Sequence, residues 1–323
     1  MNFKRNKNSS GDVIDAQELT KKFGEEIAVN SLTMRVPRGT IFGFIGPSGC
    51  GKTTTIRMMT GIYRPTSGQL NVLGKNPVHF KKSDQEKIGY LIQQFVLYPE
   101  LTVWENLNFA ASFYGVSLLR YGRLNRLLEF VELKEDRGKL AGALSGGMKR
   151  RLSLAATLVH NPELLFLDEP TVGIDPLLRR KFWDYFKELQ AQGHTLFVTT
   201  QYVSEAAYCD LVGIMYEGKL LMVETPEELR RKAYGGDVIG IKSSEWIGHE
   251  KRRKLETLPF VRGKIKVIND QEIEVVVDEA NTAIPALMEA CQAEGVNVQT
   301  IEEISPPFDD VFVKLIETET ENV

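Results

Sequence analysis

The chain has 323 residues, 42% of them hydrophobic and 26% charged, with Lys+Arg 40 set against Asp+Glu 43 for a formal net charge of −3. That length holds two domains and a sizeable core, and that balance excludes the basic field of a nucleic-acid-binding protein. No apolar run approaches the roughly 20 residues of a membrane helix, and Cys50, Cys209 and Cys291 are too few and too far apart for a disulfide framework or a metal site, which fits a reducing cytoplasm.

Residues 1–11 are polar, lack the apolar core of a signal peptide and are expected to form a disordered tail. Residues 12–43 alternate as strands around 13–16, 27–29 and 32–36, and Pro37-Arg38-Gly39 turns the chain. Phe23 lies in the polar stretch Thr20-Lys21-Lys22-Phe23-Gly24. It reads equally as a small core residue or as a flat face for stacking a purine.

The stretch that follows organises the chain. Ile41-Phe42-Gly43-Phe44-Ile45 is a short apolar strand, and Gly46-Pro47-Ser48-Gly49-Cys50-Gly51-Lys52-Thr53-Thr54 fits the pattern G-x-x-x-x-G-K-[ST] at the start of a helix. Glycines let successive N–H groups turn toward phosphate oxygens, and the helix N-terminus adds its own free N–H groups and positive dipole end. Lys52 can reach the outer phosphates, and the Thr53 hydroxyl can ligate Mg²⁺.

The helix from Lys52 is expected to end near Gly61, followed by strands at 70–73 and 88–92 and then Gln93. Roughly 94–144 reads as an inserted helical block, with one-faced stripes at Leu107, Ala110, Ala111, Tyr114 and at Leu124, Leu127, Leu128, Val131. Strand–helix alternation resumes at 145–223. Leu164-Leu165-Phe166-Leu167 is continuously apolar, as in a sheet covered on both faces, so the alternation predicts a parallel α/β sheet. After a linker near 231–236, the order from about 237 is β-α-β-β-α-β, the ferredoxin-like arrangement, with a final helix reaching 317 and an acidic tail at 318–323.

Asp168 and Glu169 directly follow the apolar strand 164–167. In a parallel sheet ligands bind at the carboxyl ends of strands, so these carboxylates converge with the phosphate loop. Asp168 suits Mg²⁺, and Glu169 suits an attacking water. Taken alone, Asp-Glu-Pro could be an ordinary strand-end turn; joined to a phosphate loop, it reads as chemistry. Ser145 could be a simple helix N-cap. Gly146 and Gly147 behind it are costly at a helix start unless something approaches the backbone closely. A second phosphate-binding surface fits, one serving a nucleotide held by another subunit. The charge run Glu250-Lys251-Arg252-Arg253-Lys254 reads as a solvated helix face before it reads as a lipid or partner contact.

With these residues in view, the chain resembles the ATP-binding subunit of an ABC transporter. The resemblance covers roughly 13–230. It rests on residues 46–53 (Walker A), Gln93 (Q-loop), Leu144-Ser145-Gly146-Gly147-Met148 (signature), 164–169 (Walker B) and Gly173-Ile174-Asp175 (D-loop). It implies an α/β P-loop NTPase of ABC type at 12–230, with an antiparallel N-terminal β subdomain and an inserted helical subdomain, followed by a small α+β domain at 237–317. That later stretch, with Pro306-Pro307-Phe308-Asp309-Asp310-Val311-Phe312, resembles the extension of drug-resistance exporters, whose membrane partners are ABC-2 permeases.

The resemblance further implies a head-to-tail dimer, with a second copy or a paralogous subunit, that sandwiches two ATP molecules at the cytoplasmic face of the membrane. Ser145, Gly146 and Gly147 would then meet the partner's γ-phosphate, Gln93 would sense Mg²⁺ and the attacking water, Phe23 would stack on adenine and Asp175 would communicate across the dimer. The run 95–104 would lie near the groove that receives the permease's cytoplasmic helix. Gln201 stands where the family's switch histidine usually stands. Its amide can donate to the γ-phosphate but cannot titrate or carry charge, and retained but modest ATPase activity is expected. The alternatives are a soluble ABC ATPase and a nucleotide-gated regulatory module with weak turnover.

Overall fold

The computed structural model describes residues 11–93 and 97–321. The tail expected at 1–11 therefore lies outside the described residues except for Gly11. Two compact units divide the chain, 1–223 and 224–323.

The first unit opens with an antiparallel sheet in the order β2-β1-β4, from β1 (Ile14–Phe23), β2 (Glu26–Val36) and β4 (Ser67–Val72). Between β2 and β4 lie β3 (Ile41–Ile45) and α1 (Lys52–Met59). Phe23 is the last residue of β1. The short α2 (Lys82–Gln85) leads to β5 (Ile88–Leu91). Of the block expected to be helical over 94–144, the described residues 97–144 hold two α-helices, α3 (Val103–Phe113) and α4 (Tyr121–Phe130), a 3-10 turn at Ala141–Ala143 and irregular connections; α5 (Gly146–Leu158) follows. The chain completes this unit through β6 (Leu164–Asp168), α6 (Pro176–Ala191), β7 (Thr195–Thr200), β8 (Leu211–Tyr216) and β9 (Lys219–Glu224).

The large sheet runs β5-β6-β7-β3-β8-β9, with β5 through β8 paired in parallel. Every residue of β3, β6 and β7 is buried, the pattern of strands covered on both faces. One apolar core joins Ile14, Leu19 and Leu32 of the N-terminal sheet to Phe42, Phe44, Phe166 and Phe197 of the large one, with Ile56, Met58 and Met59 of α1 between them. Register places Ile45 beside Thr200 and Asp168 beside Thr199, so these strands finish together at one edge.

The second unit contains α7 (Pro226–Tyr234), β10 (Asp237–Ser243), α8 (His249–Glu256), β11 (Val261–Asn269), β12 (Glu272–Val277), α9 (Ala280–Ala293), β13 (Val298–Ile304) and α10 (Phe308–Glu321). Its sheet is antiparallel in the order β11-β12-β10-β13, the strand order of a ferredoxin-like βαββαβ unit. Ile239, Ile273 and Val275 pack with Leu255, Leu287 and Cys291 from α8 and α9. The division at 223/224 departs from the linker expected at 231–236. The cause is α7, which packs on α10: the Arg230 guanidinium lies 4.0 Å from the Phe308 ring centroid and Lys314 Nζ lies 3.6 Å from that of Tyr234. Helix α10 also runs on to Glu321, past the end expected at 317.

Candidate functional site

The phosphate loop is built by steric necessity. Gly51, the residue before α1, has φ 108, and a side chain there would strike the Ala28 carbonyl. Gly46 is closed in against the Met215 carbonyl and the Cys50 sulfur. Pro47, Ser48 and Gly49 are exposed at the loop's tip, Cys50 is buried beneath it, and Thr54 is half-buried in the first turn of α1. Burial pushes the Cys50 thiol above its ordinary pKa, opposed by the Lys52 charge, so it is a packing residue and not a reactive thiolate.

Lys52 is 4% exposed and folded back into its own loop, donating to the carbonyls of Gly46 at 2.7 Å and Pro47 at 2.9 Å, with Glu169 Oε1 at 3.6 Å. A cation held by carbonyls and one carboxylate has weaker anionic partners than a triphosphate would give it. Thr53 Oγ1 donates to Asp168 Oδ1 at 3.2 Å, and Thr199 Oγ1 donates to the same oxygen at 2.6 Å. A hydroxyl and a carboxylate are hard oxygen donors of the kind that suit Mg²⁺, which typically takes one or two protein ligands and completes its shell with water and phosphate. Among the described residues no cluster of three or more His, Cys, Asp or Glu could hold a metal without such help.

Glu169 is held on both sides. Its N–H donates to the Thr199 carbonyl at 3.1 Å and Thr199 Oγ1 at 3.0 Å, while Arg150 donates to its carbonyl at 2.6 Å. Its φ of 48 is left-handed, a conformation costing on the order of 1–3 kcal/mol that persists where surroundings over-determine it. Gln93 Nε2 donates to Glu169 Oε2 at 2.9 Å. Lys52, Thr53, Gln93, Asp168 and Glu169, separated by up to 117 positions in sequence, thus form one connected group at the carboxyl edge of β3, β5 and β6. Gln201 directly follows β7 at the same edge and is exposed, its amide without a partner among the described residues. His194 lies before β7, at the opposite end, bonded to the Pro162 carbonyl at 2.6 Å.

The other candidates stand apart from this group. Ser145 and Gly146 are exposed, and Ser145 Oγ accepts from the Met148 N–H at 3.2 Å as an N-cap. A side chain at Gly147 would meet Leu178 Cδ2 at 2.6 Å, the movable end of a leucine, whereas Gly146 opens to solvent with nothing within 4 Å among the described residues. Asp175 caps α6, its Oδ1 accepting from the N–H groups of Leu177 and Leu178 at 3.0 Å each. Phe23 is 44% exposed, edge-on to Tyr63 with centroids 5.4 Å apart, and Lys21 Nζ lies 4.9 Å from its ring centroid.

Two residues that sequence reasoning passed over complete the site. Arg150, on α5 and 2% exposed, donates to the carbonyls of Ile92, Gln93, Asp168, Glu169 and Pro170. Burial lowers its pKa to about 10, so it stays charged at neutral pH. The Tyr90 hydroxyl donates to Asp168 Oδ2 at 3.4 Å; burial first, then the Asp168 charge, push its pKa up to about 12 and keep it a donor. Beside β5 opens an apolar groove of about 380 Å³ lined by Ile92, Leu97, Tyr98, Phe109, Phe113 and Tyr114, with Phe113 71% exposed. Of the run 95–104, Leu97 and Tyr98 reach this groove. Trp104 packs elsewhere, 5.2 Å from Tyr121, and Phe95 lies outside the described residues.

A phosphate loop, a strand-end carboxylate pair and a helical insertion leading into Ser-Gly-Gly define an ATP-binding cassette. Residues 29–172 match the family described as "ABC transporter", and residues 225–316 match "ATP-binding protein DrrA1-3-like, C-terminal domain". The chain belongs to the ATP-binding proteins of ABC transporters, with a DrrA-like C-terminal domain. It is 43% identical over 222 residues to "Probable multidrug ABC transporter ATP-binding protein YbhF" of Escherichia coli (strain K12), covering 68% of this chain but only 38% of that relative's length. Identity to "Linearmycin resistance ATP-binding protein LnrL" of Bacillus subtilis (strain 168) is 32% over 314 residues, 94% of this chain and 98% of that one. The solved "Dimeric structure of a post-hydrolysis state of the ATP-binding cassette MJ0796 bound to ADP and Pi" superposes with a TM-score of 0.60 at 27% identity, over 66% of this chain and 98% of that one.

Proposed function

We propose that this chain hydrolyses ATP to ADP and phosphate and thereby powers export of a substrate through a separate transmembrane permease of the ABC-2 type. It would work at the cytoplasmic face of the membrane, as an ATP-sandwich dimer with a second copy or a paralogous subunit. The observation that carries the reading is the connected group Lys52, Thr53, Asp168, Glu169 and Gln93 at one sheet edge. The drug-resistance name of a relative matching nearly the whole chain supports the exporter assignment, and the dimeric cassette supports the sandwich. Among the described residues no helix is long and apolar enough to cross a membrane, which fits a permease on a separate chain. The exposed groove of Phe109 and Phe113 beside the strand leading to Gln93 suits an amphipathic helix of that permease.

In this reading Lys52 exchanges the Gly46 and Pro47 carbonyls for the outer phosphates, and the loop N–H groups hold the remaining oxygens. Thr53 and Asp168 would hold Mg²⁺, which would supply positive charge to neutralise the transferring phosphoryl group. Glu169, steadied by Gln93, orients the attacking water and accepts its proton. Gln201 donates to the γ-phosphate without carrying charge. Phe23 offers its exposed face to the adenine ring.

Phosphate release with Mg²⁺ and ATP, measured for the wild type and for Glu169→Gln, tests the reading. The variant should bind ATP and turn over slower by about 100-fold or more, the usual contribution of a positioned base. A wild type no faster than the variant would instead make the chain a nucleotide-gated binding module.

A further inference from the structure

Behind the loop that follows β7, five buried polar atoms lie together with no hydrogen bond closed among the described residues: both carboxylate oxygens of Glu205, Thr171 Oγ1, Arg179 Nε and Trp183 Nε1. Glu205 is 1% exposed and sits on the 3-10 turn Val203–Tyr208. Its nearest cation is Arg179, whose Nε stands 3.8 Å from Oε1. Burial raises the Glu205 pKa, and the side chains of Thr200, Thr171 and Trp183, with the charge of Arg179, pull it back. The donors therefore face the carboxylate, yet none reaches full hydrogen-bond geometry.

These atoms come from three segments that each carry part of the nucleotide site. Thr171 is two residues beyond Glu169. Arg179 and Trp183 are on α6, the helix that Asp175 caps. Thr200 and Glu205 flank Gln201 and Tyr202, and the Arg179 guanidinium lies 3.9 Å from the Tyr202 ring centroid. Native interiors leave few polar atoms without a hydrogen bond, and a buried carboxylate that makes none, with its cation only as near as 3.8 Å, is costly. A carboxylate kept only for stability would be expected to close its bonds. One ringed by four donors just out of reach belongs to a joint with a tighter arrangement available to it.

We propose that Glu205 is a positioning residue for ATP hydrolysis: through Thr171, Arg179 and Trp183 it ties the Gln201 loop to α6, so that Gln201 and Asp175 are brought to the nucleotide as one piece. The proposal rests on the ATPase reading above. It gives the loop after β7 a fixed support of the kind that an uncharged Gln201, which would reach the γ-phosphate by hydrogen bonding alone, requires.

Steady-state ATP turnover of the full chain tests it with Glu205→Gln, Arg179→Ala and the double variant, beside wild type and Glu169→Gln. Glu205→Gln keeps the shape and removes the buried charge. It should lower kcat about 10-fold, as loss of a supporting partner does, and leave KM within about twofold. Melting temperature should fall by no more than about 3 °C. Arg179→Ala should repeat the kcat loss, and the double variant should add little to either single change, because both act through one contact. Unchanged kcat in Glu205→Gln overturns the proposal, as does a loss that follows melting temperature alone or additive losses in the double variant. A wild type no faster than Glu169→Gln would overturn the ATPase reading itself, and this proposal with it.

Discussion

A guanidinium that is 2% exposed needs acceptors for its rigid fork of donors, and Arg150 finds them in five backbone carbonyls from two segments. Three of those carbonyls belong to Asp168, Glu169 and Pro170, and two to Ile92 and Gln93, so one side chain on the helix behind Ser145 fixes both arms of the connected group. Lysine is a point charge with three donors and cannot span both segments. Arg150→Lys should therefore lower kcat by about 10- to 100-fold. Urea unfolding should show a loss of about 2–4 kcal/mol from carbonyls left unpaired. Turnover above a tenth of wild type, with the unfolding midpoint unchanged, would contradict this. The sequence made the phosphate loop and the Asp-Glu pair legible, because those residues act where they stand in a motif. It hid Arg150, whose partners are backbone atoms up to 58 positions away and carry no side-chain signature. The exposed Gly146 and the packed Gly147 look alike in sequence, and only the approach of Leu178 separates them.

At the scale of elements, the packing of α3 near β5 turns on His160. Its ring stacks on Tyr114 at 3.7 Å, and Nε2 lies 3.0 Å from the Ile88 carbonyl. A carbonyl only accepts, so Nε2 carries the proton and the buried Nδ1 is the bare nitrogen, without a partner among the described residues. Burial lowers the His160 pKa below its ordinary 6.5; the Ile88 carbonyl opposes this and the Arg123 charge adds to it. A depressed pKa means that the fold favours neutral imidazole. The contribution to stability is full above the ordinary histidine value and is lost as pH falls through the lowered one. The urea midpoint of the wild type should thus drop more between about pH 7.5 and about pH 5 than that of His160→Gln, which removes the titration. Equal drops would show that His160 stays neutral or does not matter. The apolar stripes of this region predicted its helices but not their starts. Helix α3 begins at Val103 because Thr102 and Glu105 cap it reciprocally, at 3.2 and 2.8 Å, a local signal that a stripe does not contain. The strand–helix alternation of 145–223, by contrast, was readable because fully buried strands leave unbroken apolar runs.

For the whole molecule, the arrangement of Ser145 and Gly146 is the deciding fact. Both are exposed, and the described bond of Ser145 is spent on its own helix at Met148. The first free N–H groups of α5 and its positive dipole end therefore face solvent, a ready anion site. Among the described residues Lys52 meanwhile has only carbonyls and Glu169 as polar partners. Each copy carries two surfaces that want phosphate, and two copies related by a two-fold axis would give each triphosphate one surface of either kind. In the sandwich proposed above, ATP would be part of the interface, and the dimer would last only while the γ-phosphate does. Glu169→Gln with Mg²⁺ and ATP should elute from size exclusion as a dimer, return to monomer with ADP, and stay monomeric with ATP when Ser145→Arg is added. The arginine blocks the approach with a bulky side chain at an exposed position; it also removes the N-cap bond to Met148, a loss of about 1 kcal/mol, so the monomer's melting temperature should fall by no more than about 4 °C. A Ser145→Arg protein that still dimerises with ATP would place the second phosphate contact elsewhere. Should Glu169→Gln remain monomeric at saturating ATP, no sandwich of two identical copies forms, and the partner must be a different subunit.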